Sequence, residues 1–208
     1  MPVMFCWLFA FGMIYRSADM EREAMWVSFD EQKFEHLRLL SNQEGISADG
    51  LIIHLNQNNS FRLRYRIHCD ASWHVRKVEL YRLDESAHSL VLNSDGKGRW
   101  TNAQGEIIAS LNGCSDVDIF YSPFTNTLAI RRLALEKGEP ADIRVAYINV
   151  PDFDVSAVQQ RYTFLDTTSQ GGLYRYESLT SGFTTELPVD ADGLIIDYPK
   201  FFRRAWAR

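Results

Sequence analysis

Residues 61–68 constrain the fold more than any other stretch. Phe61, Leu63, Tyr65 and Ile67 alternate with Arg62, Arg64, Arg66 and His68. A period of two over eight residues places the apolar side chains on one face of an extended strand and the cations on the other. The device recurs. Trp73, Val75, Lys77, Glu79 and Tyr81 alternate with His74, Arg76, Val78, Leu80 and Arg82, and Ile143, Val145 and Tyr147 with Arg144, Ala146 and Ile148. Turn signals interrupt the chain at short spacing, among them Asp95-Gly96-Lys97-Gly98, Asn112-Gly113 and Ser181-Gly182. Short alternating runs between frequent turns predict an all-β sandwich, roll or barrel. After residue 24, only residues 155–160 read as a helical turn.

The N-terminus does not fit this pattern. Residues 2–15 are nearly all apolar, and about 14 residues fall short of the roughly 20 that a spanning helix needs. No Lys or Arg precedes them and no A-x-A-like site follows, unlike a secretory signal. Residues 1–24 therefore read as an extension outside the fold, with a secretion or membrane-association segment as the rival. Residues 25–208 read as one β domain of two similar halves, about 26–120 and 121–200. A weak echo supports them: Ala48-Asp49-Gly50-Leu51-Ile52-Ile53 repeats as Ala191-Asp192-Gly193-Leu194-Ile195-Ile196.

Composition excludes several functions. A net charge of −5 argues against a nucleic-acid partner, which normally meets a basic face, and against charge-driven docking on anionic membrane. Three cysteines without paired spacing suggest reduced thiols in a cytoplasmic setting. No CxxC, HExxH or GxGxxG motif occurs, so no metal, cofactor or dinucleotide is expected. Nothing in the chain bears on oligomeric state.

Residues 112–135 hold the densest set of special residues. Asp116 and Asp118 share one face of a short alternating run, Pro123 breaks it, and a second run carries Arg131 and Arg132. The expectation is a β-hairpin with Asp118 opposite Arg131 or Arg132, according to register. Two carboxylates about 6–7 Å apart along a strand could work as acid and base. Ion pairing with arginine would instead hold them ionised and inert. Cys114 has no signature histidine nearby and reads as a small buried thiol. Arg62, Arg64, Arg66, Arg76 and Arg82 could bind a phosphate or a polar head, or form a solvated outer face balanced by acids. Trp73 and Trp100 could stack on a sugar or simply fill the core.

The stretch Leu111-Asn112-Gly113-Cys114-Ser115-Asp116-Val117-Asp118-Ile119, with Ser122-Pro123-Phe124-Thr125-Asn126-Thr127-Leu128 and Ile130-Arg131-Arg132-Leu133, resembles a bacterial family described as putative glycolipid-binding, formerly a domain of unknown function. Gly98-Arg99-Trp100, Cys69-Asp70, Tyr147 with Val150-Pro151, Gln160, and Asp192-Gly193-Leu194 extend the resemblance over roughly residues 26–204. Ala129 stands where the family pattern has proline. The resemblance implies curved antiparallel sheets in two related roll-like halves around an apolar interior, and a glycolipid ligand. It offers no catalytic residues. The expected function is non-catalytic binding of a lipid-like or glycolipid-like small molecule in an elongated apolar pocket. Trp73 and Trp100 would stand at its rim, and Arg76, Asp116, Asp118, Asn126 and Arg131 would orient the polar head at its mouth. The alternatives are a hydrolase acting on a glycan or lipid through Asp116 and Asp118, and a structural or protein-interaction module.

Overall fold

The computed structural model describes residues 20–57, 60–84 and 88–208. Among these residues, the first sheet has nine strands. Seven follow one another as an antiparallel meander: β1 (Met20–Ser28), β2 (Lys33–Asn42), β3 (Gly45–His54), β4 (Phe61–Cys69), β5 (Val75–Arg82), β6 (Ser89–Ser94) and β7 (Trp100–Thr101). The second sheet has five: β8 (Asp116–Ile119), β9 (Pro140–Asn149), β10 (Asp154–Thr167), β11 (Gly171–Ser178) and β12 (Thr184–Asp190). The chain then returns to the first sheet, where β13 (Asp197–Tyr198) pairs with β14 (Phe202–Ala207) and β14 with the free edge of β1. The protein is mostly β, with curled sheets and a half-barrel.

Alternation explains the inner face of the first sheet. Phe61, Leu63, Tyr65 and Ile67 are buried, as are Ile46, Ala48 and Ile52 of β3 and Leu37 and Leu39 of β2. The opposite face of β4 is balanced by acids. Asp49 accepts from both Arg64 and Arg66, and Arg62 donates to the Leu83 carbonyl. Along β5 the expected phase breaks, because Cys69 pairs with Val75 and His68 with Lys77, which leaves Arg76 as an extra, bulged residue. Val75 and Val78 therefore both point inward.

The central stretch is not a hairpin. After β8, residues Thr125–Leu133 form α1, the one α-helix among the described residues, and β8 then runs parallel to β9. A parallel pair needs a crossover, and the helix supplies it. Residues Leu128, Ala129 and Ile130 are buried in succession, a run that fits a buried helix as well as a strand. The helix ends at Ala134, whose backbone is left-handed (φ 47°), and Arg131 and Arg132 lie in its last turn, where cations complement the carbonyl ends.

Two other expectations change. Residues 155–160 lie within β10, which pairs with β9 from Asp154↔Asn149 to Thr163↔Pro140. Continuous pairing with β9 outweighs weak local preference. The fold also begins before Met25. Met20–Ala24 form the first half of β1 against β2, and Ala24 is buried. The apolar run 2–15 lies outside the described residues.

Candidate functional site

A cavity of about 900 Å³ opens where four connections converge. These are the β1–β2 turn, the loop from β8 to α1, the β11–β12 turn and the β13–β14 turn, with β9, β10 and β11 behind them. Burial sets depth within it. Gln160 and Asn126 are buried, whereas Phe29, Phe120 and Phe201 are exposed, so the polar groups form the floor and the phenyl rings the mouth.

The floor is a connected network. Asp118 accepts from the Gln160 amide at 2.7 Å and the Thr125 hydroxyl at 2.9 Å. Tyr162 donates to Asn126 Oδ1 at 2.9 Å, and Asn126 Nδ2 donates to the Pro123 carbonyl at 3.2 Å. Asp118 has no cation partner among the described residues, and burial raises its carboxyl above the usual range against those two hydrogen bonds. It still reaches the cavity, so its remaining lone pairs can accept from a ligand. Tyr147 and Tyr198 also line the space, and neither hydroxyl has a hydrogen-bond partner among the described residues. Burial and the neighbouring Asp118 push Tyr147 up to about 12, so it is a neutral donor at ordinary pH.

An aromatic wall runs from floor to mouth. Tyr176 packs on Tyr162 at 5.4 Å and on Phe183 at 6.2 Å, and Phe201 packs edge-on to Phe183 and Tyr198 at 5.4 Å each. Opposite, Phe120 stacks on Tyr121 at 4.0 Å. Tyr121 takes a left-handed backbone (φ 74°), an uncommon conformation for a bulky residue and one that clusters at functional loops. At the mouth Lys33 is paired with Asp30, and Lys200 has no partner among the described residues.

Behind this wall lies a buried carboxylate, in phase with the apolar residues of β2. Glu35 accepts from the hydroxyls of Tyr65 and Ser122 and from the Phe124 backbone N–H. It is fully buried, and burial raises it from an ordinary 4.5 to about 7 despite those three bonds. Tyr65 reaches it by lying across Gly50, where a Cβ would stand 1.9 Å from the ring. Glu35 thus fastens the loop bearing Ser122 and Pro123 to the first sheet.

Of the residues expected in the site, Asp118 and Asn126 line the cavity. The others do not. Asp116 is buried in a bidentate pair with Arg132 and also accepts from Ser115. Trp100 is core, its indole N–H donating to the Cys114 carbonyl at 2.8 Å. Trp73 is buried beneath the Arg131 guanidinium, which stands 5.3 Å over its ring beside a separate, shallower hollow. Arg76 pairs with Asp70 and donates to the Asp95 carbonyl. Cys114 is buried, and burial raises its thiol. Gln160, Tyr147, Tyr176 and Tyr198 are not singled out by chemistry, although Gln160 and Tyr147 fall in the segments that carry the family resemblance. Among the described residues, no group of His, Cys, Asp or Glu is arranged to hold a metal, and no helix is long and apolar enough to cross a membrane.

Residues 23–204 match the family described as "Putative glycolipid-binding". A DUF1089-family protein from Pseudomonas aeruginosa, known from its crystal structure, is similar with a TM-score of 0.75 and 34% identity, over 98% of this chain and 100% of that one. A β-barrel-like protein of the domain of unknown function DUF1849 from Brucella abortus has a TM-score of 0.50 at 8% identity, over 90% of this chain and 96% of that one, a likeness of fold alone. None of the curated proteins matches.

Proposed function

We propose, from the premise that the chain belongs to the "Putative glycolipid-binding" family, that the cavity binds a glycolipid-like small molecule without chemical turnover, head first. The observation that carries this reading is the polar floor. An uncompensated carboxylate, a fixed amide and free tyrosine hydroxyls sit at the inner end of an aromatic cavity. Sugar hydroxyls donate and accept at close spacing, and they match that mixture. Sugar rings also present C–H faces that pack against aromatic rings such as Tyr176 and Phe183. The apolar portion of the ligand would then leave along the aromatic wall toward the mouth. This reverses the arrangement expected from the sequence, with the polar head at the entrance.

The hydrolase alternative drew on two aspartates. Asp116 is tied to Arg132 and lies outside the cavity. The other carboxylate lining the cavity, Asp30, is held down to about 2 by hydrogen bonds from Lys33 and Ser28, so it stays ionised, and its pair with Lys33 keeps it engaged at the mouth rather than on the floor with Asp118. Binding is the reading with fewer demands on the residues present.

Titration calorimetry with hexyl glucoside and hexyl phosphate tests the reading. The neutral sugar head is expected to bind, and the phosphate to bind at least about tenfold more weakly, because no cation among the described residues lines the floor to offset its desolvation. Asp118→Asn should weaken the glucoside by about tenfold, in line with about 1.4 kcal/mol for one good hydrogen bond. Saturating glucoside should also raise the thermal midpoint, since a ligand at a hundred-fold excess over Kd stabilises by about 2.7 kcal/mol. Equal affinity for both heads, or an Asp118→Asn protein that binds as the parent does, would overturn it.

A further inference from the structure

We infer that the mouth of the cavity is a docking surface for a lipid bilayer, from which the ligand is taken. This rests on the proposed glycolipid site. Three connections of the chain each bring an exposed phenyl ring to the rim: Phe29 (51% exposed) in the β1–β2 turn, Phe120 (38%) after β8, and Phe201 (45%) in the β13–β14 turn. Leu179, 39% exposed, stands one residue from the rim residues Ser178 and Thr180. Single exposed apolar residues need no explanation, but several around one opening do. Two of the tips are fixed to each other, because the Phe29 N–H donates to the Phe201 carbonyl at 3.1 Å. The rim is therefore a set surface rather than loose ends.

The occupant follows from continuity and charge. The rings lead into the cavity along the Phe183–Phe201 wall, so whatever covers the rim must also deliver an apolar chain to it. A bilayer does both, since aromatic side chains favour its interface and an amphiphile can pass from it without crossing water. Lys33 and Lys200 lie among the rings and would face anionic headgroups. The chain as a whole carries −5, so this attraction is local. Lys33 is already paired with Asp30, which leaves Lys200 to respond most to salt.

Flotation with phosphatidylcholine vesicles, with and without phosphatidylglycerol, tests this on the full chain. The parent should float with the vesicles, more strongly when phosphatidylglycerol is present, and added salt should weaken binding only by about a few-fold. The double variant Phe29→Ser/Phe201→Ser should bind the same vesicles at least about tenfold more weakly. Its thermal midpoint is measured alongside to establish that it is folded, and Lys200→Glu serves as a second variant that should lose only the phosphatidylglycerol-dependent part. Hexyl glucoside titration of the parent separates the two claims. A parent that binds the glucoside but never floats refutes docking and leaves the cavity reading intact. One that floats but ignores the glucoside refutes the cavity reading instead. Rim variants that float as the parent does, or a rim that drives self-association in sedimentation without vesicle binding, would overturn the bilayer as its partner.

Discussion

Replacing Arg132 with alanine is expected to destabilise the protein by about 3–5 kcal/mol, because it leaves a desolvated carboxylate without its cation. Asp116 is 1% exposed, and Arg132 grips both of its oxygens, Nε at 2.9 and 3.1 Å and Nη2 at 2.6 Å. The pair joins the last turn of α1 to β8, so it also fixes how the crossover helix lies on the second sheet. Ser115 supplies one hydrogen bond to the carboxylate, at 2.7 Å, which cannot replace the charge. Chemical denaturation of parent and variant measures the effect. The control is the double variant Asp116→Leu/Arg132→Met. Apolar residues of similar volume remove both charges together, and such exchanges are often neutral or stabilising. The double variant should therefore recover most of the loss. A loss below about 1 kcal/mol in Arg132→Ala, the range of exposed pairs, would mean that the pair is solvated in solution.

The same residues show where the sequence was readable. Period-two alternation in residues 61–68 names its inward face correctly, because each of those strands has a wet side and a dry side. The aspartate–arginine pairing was also anticipated, but for both aspartates and on a hairpin that set Asp118 opposite the arginines. The pairing belongs to Asp116, because residues 125–133 close into a helix and bring Arg132 round to the start of β8. Three consecutive buried apolar residues fit both periods, and no local signal separates them. Trp73 and Trp100 drew attention as residue types, but type does not give depth. Trp100 lies in the core because its indole N–H finds a backbone carbonyl there. The floor was harder still. Asp118, Tyr147, Gln160 and Tyr176 come from four strands, and no spacing in the chain announces that they meet. Glu35 left a usable trace. It falls in phase with Leu37 and Leu39 on β2, and a carboxylate in the apolar phase of a strand must be paired, hydrogen-bonded or neutralised.

Glu35 gives the second large expectation, a difference in stability that depends on pH. Its carboxyl is raised from about 4.5 to about 7 in the folded protein, with burial the largest cause. Below pH 4.5 the group is protonated in both states. Between 4.5 and 7 the unfolded chain releases the proton while the folded protein keeps it, so the stability linked to this group falls as pH rises, then levels off above 7. At about 1.4 kcal/mol per pH unit of displacement, the loss is about 3 kcal/mol. His54 works the other way, since burial lowers its imidazole below the ordinary value and stability tied to it is lost as pH falls. The parent's own profile therefore mixes these with other groups, Asp118 among them, whose carboxyl burial also raises. Glu35→Gln isolates the carboxyl, because glutamine stays neutral at every pH and still offers an oxygen to Tyr65 and Ser122. Relative to the parent, the variant should gain about 3 kcal/mol between pH 4.5 and pH 8 by chemical denaturation. Curves that stay parallel across that window would show that Glu35 is not buried as a neutral acid. Gly50→Ala provides the structural counterpart. A methyl there would collide with the Tyr65 ring and push its hydroxyl off Glu35. It should destabilise the fold at both pH values, whereas Glu35→Gln should change mainly the slope.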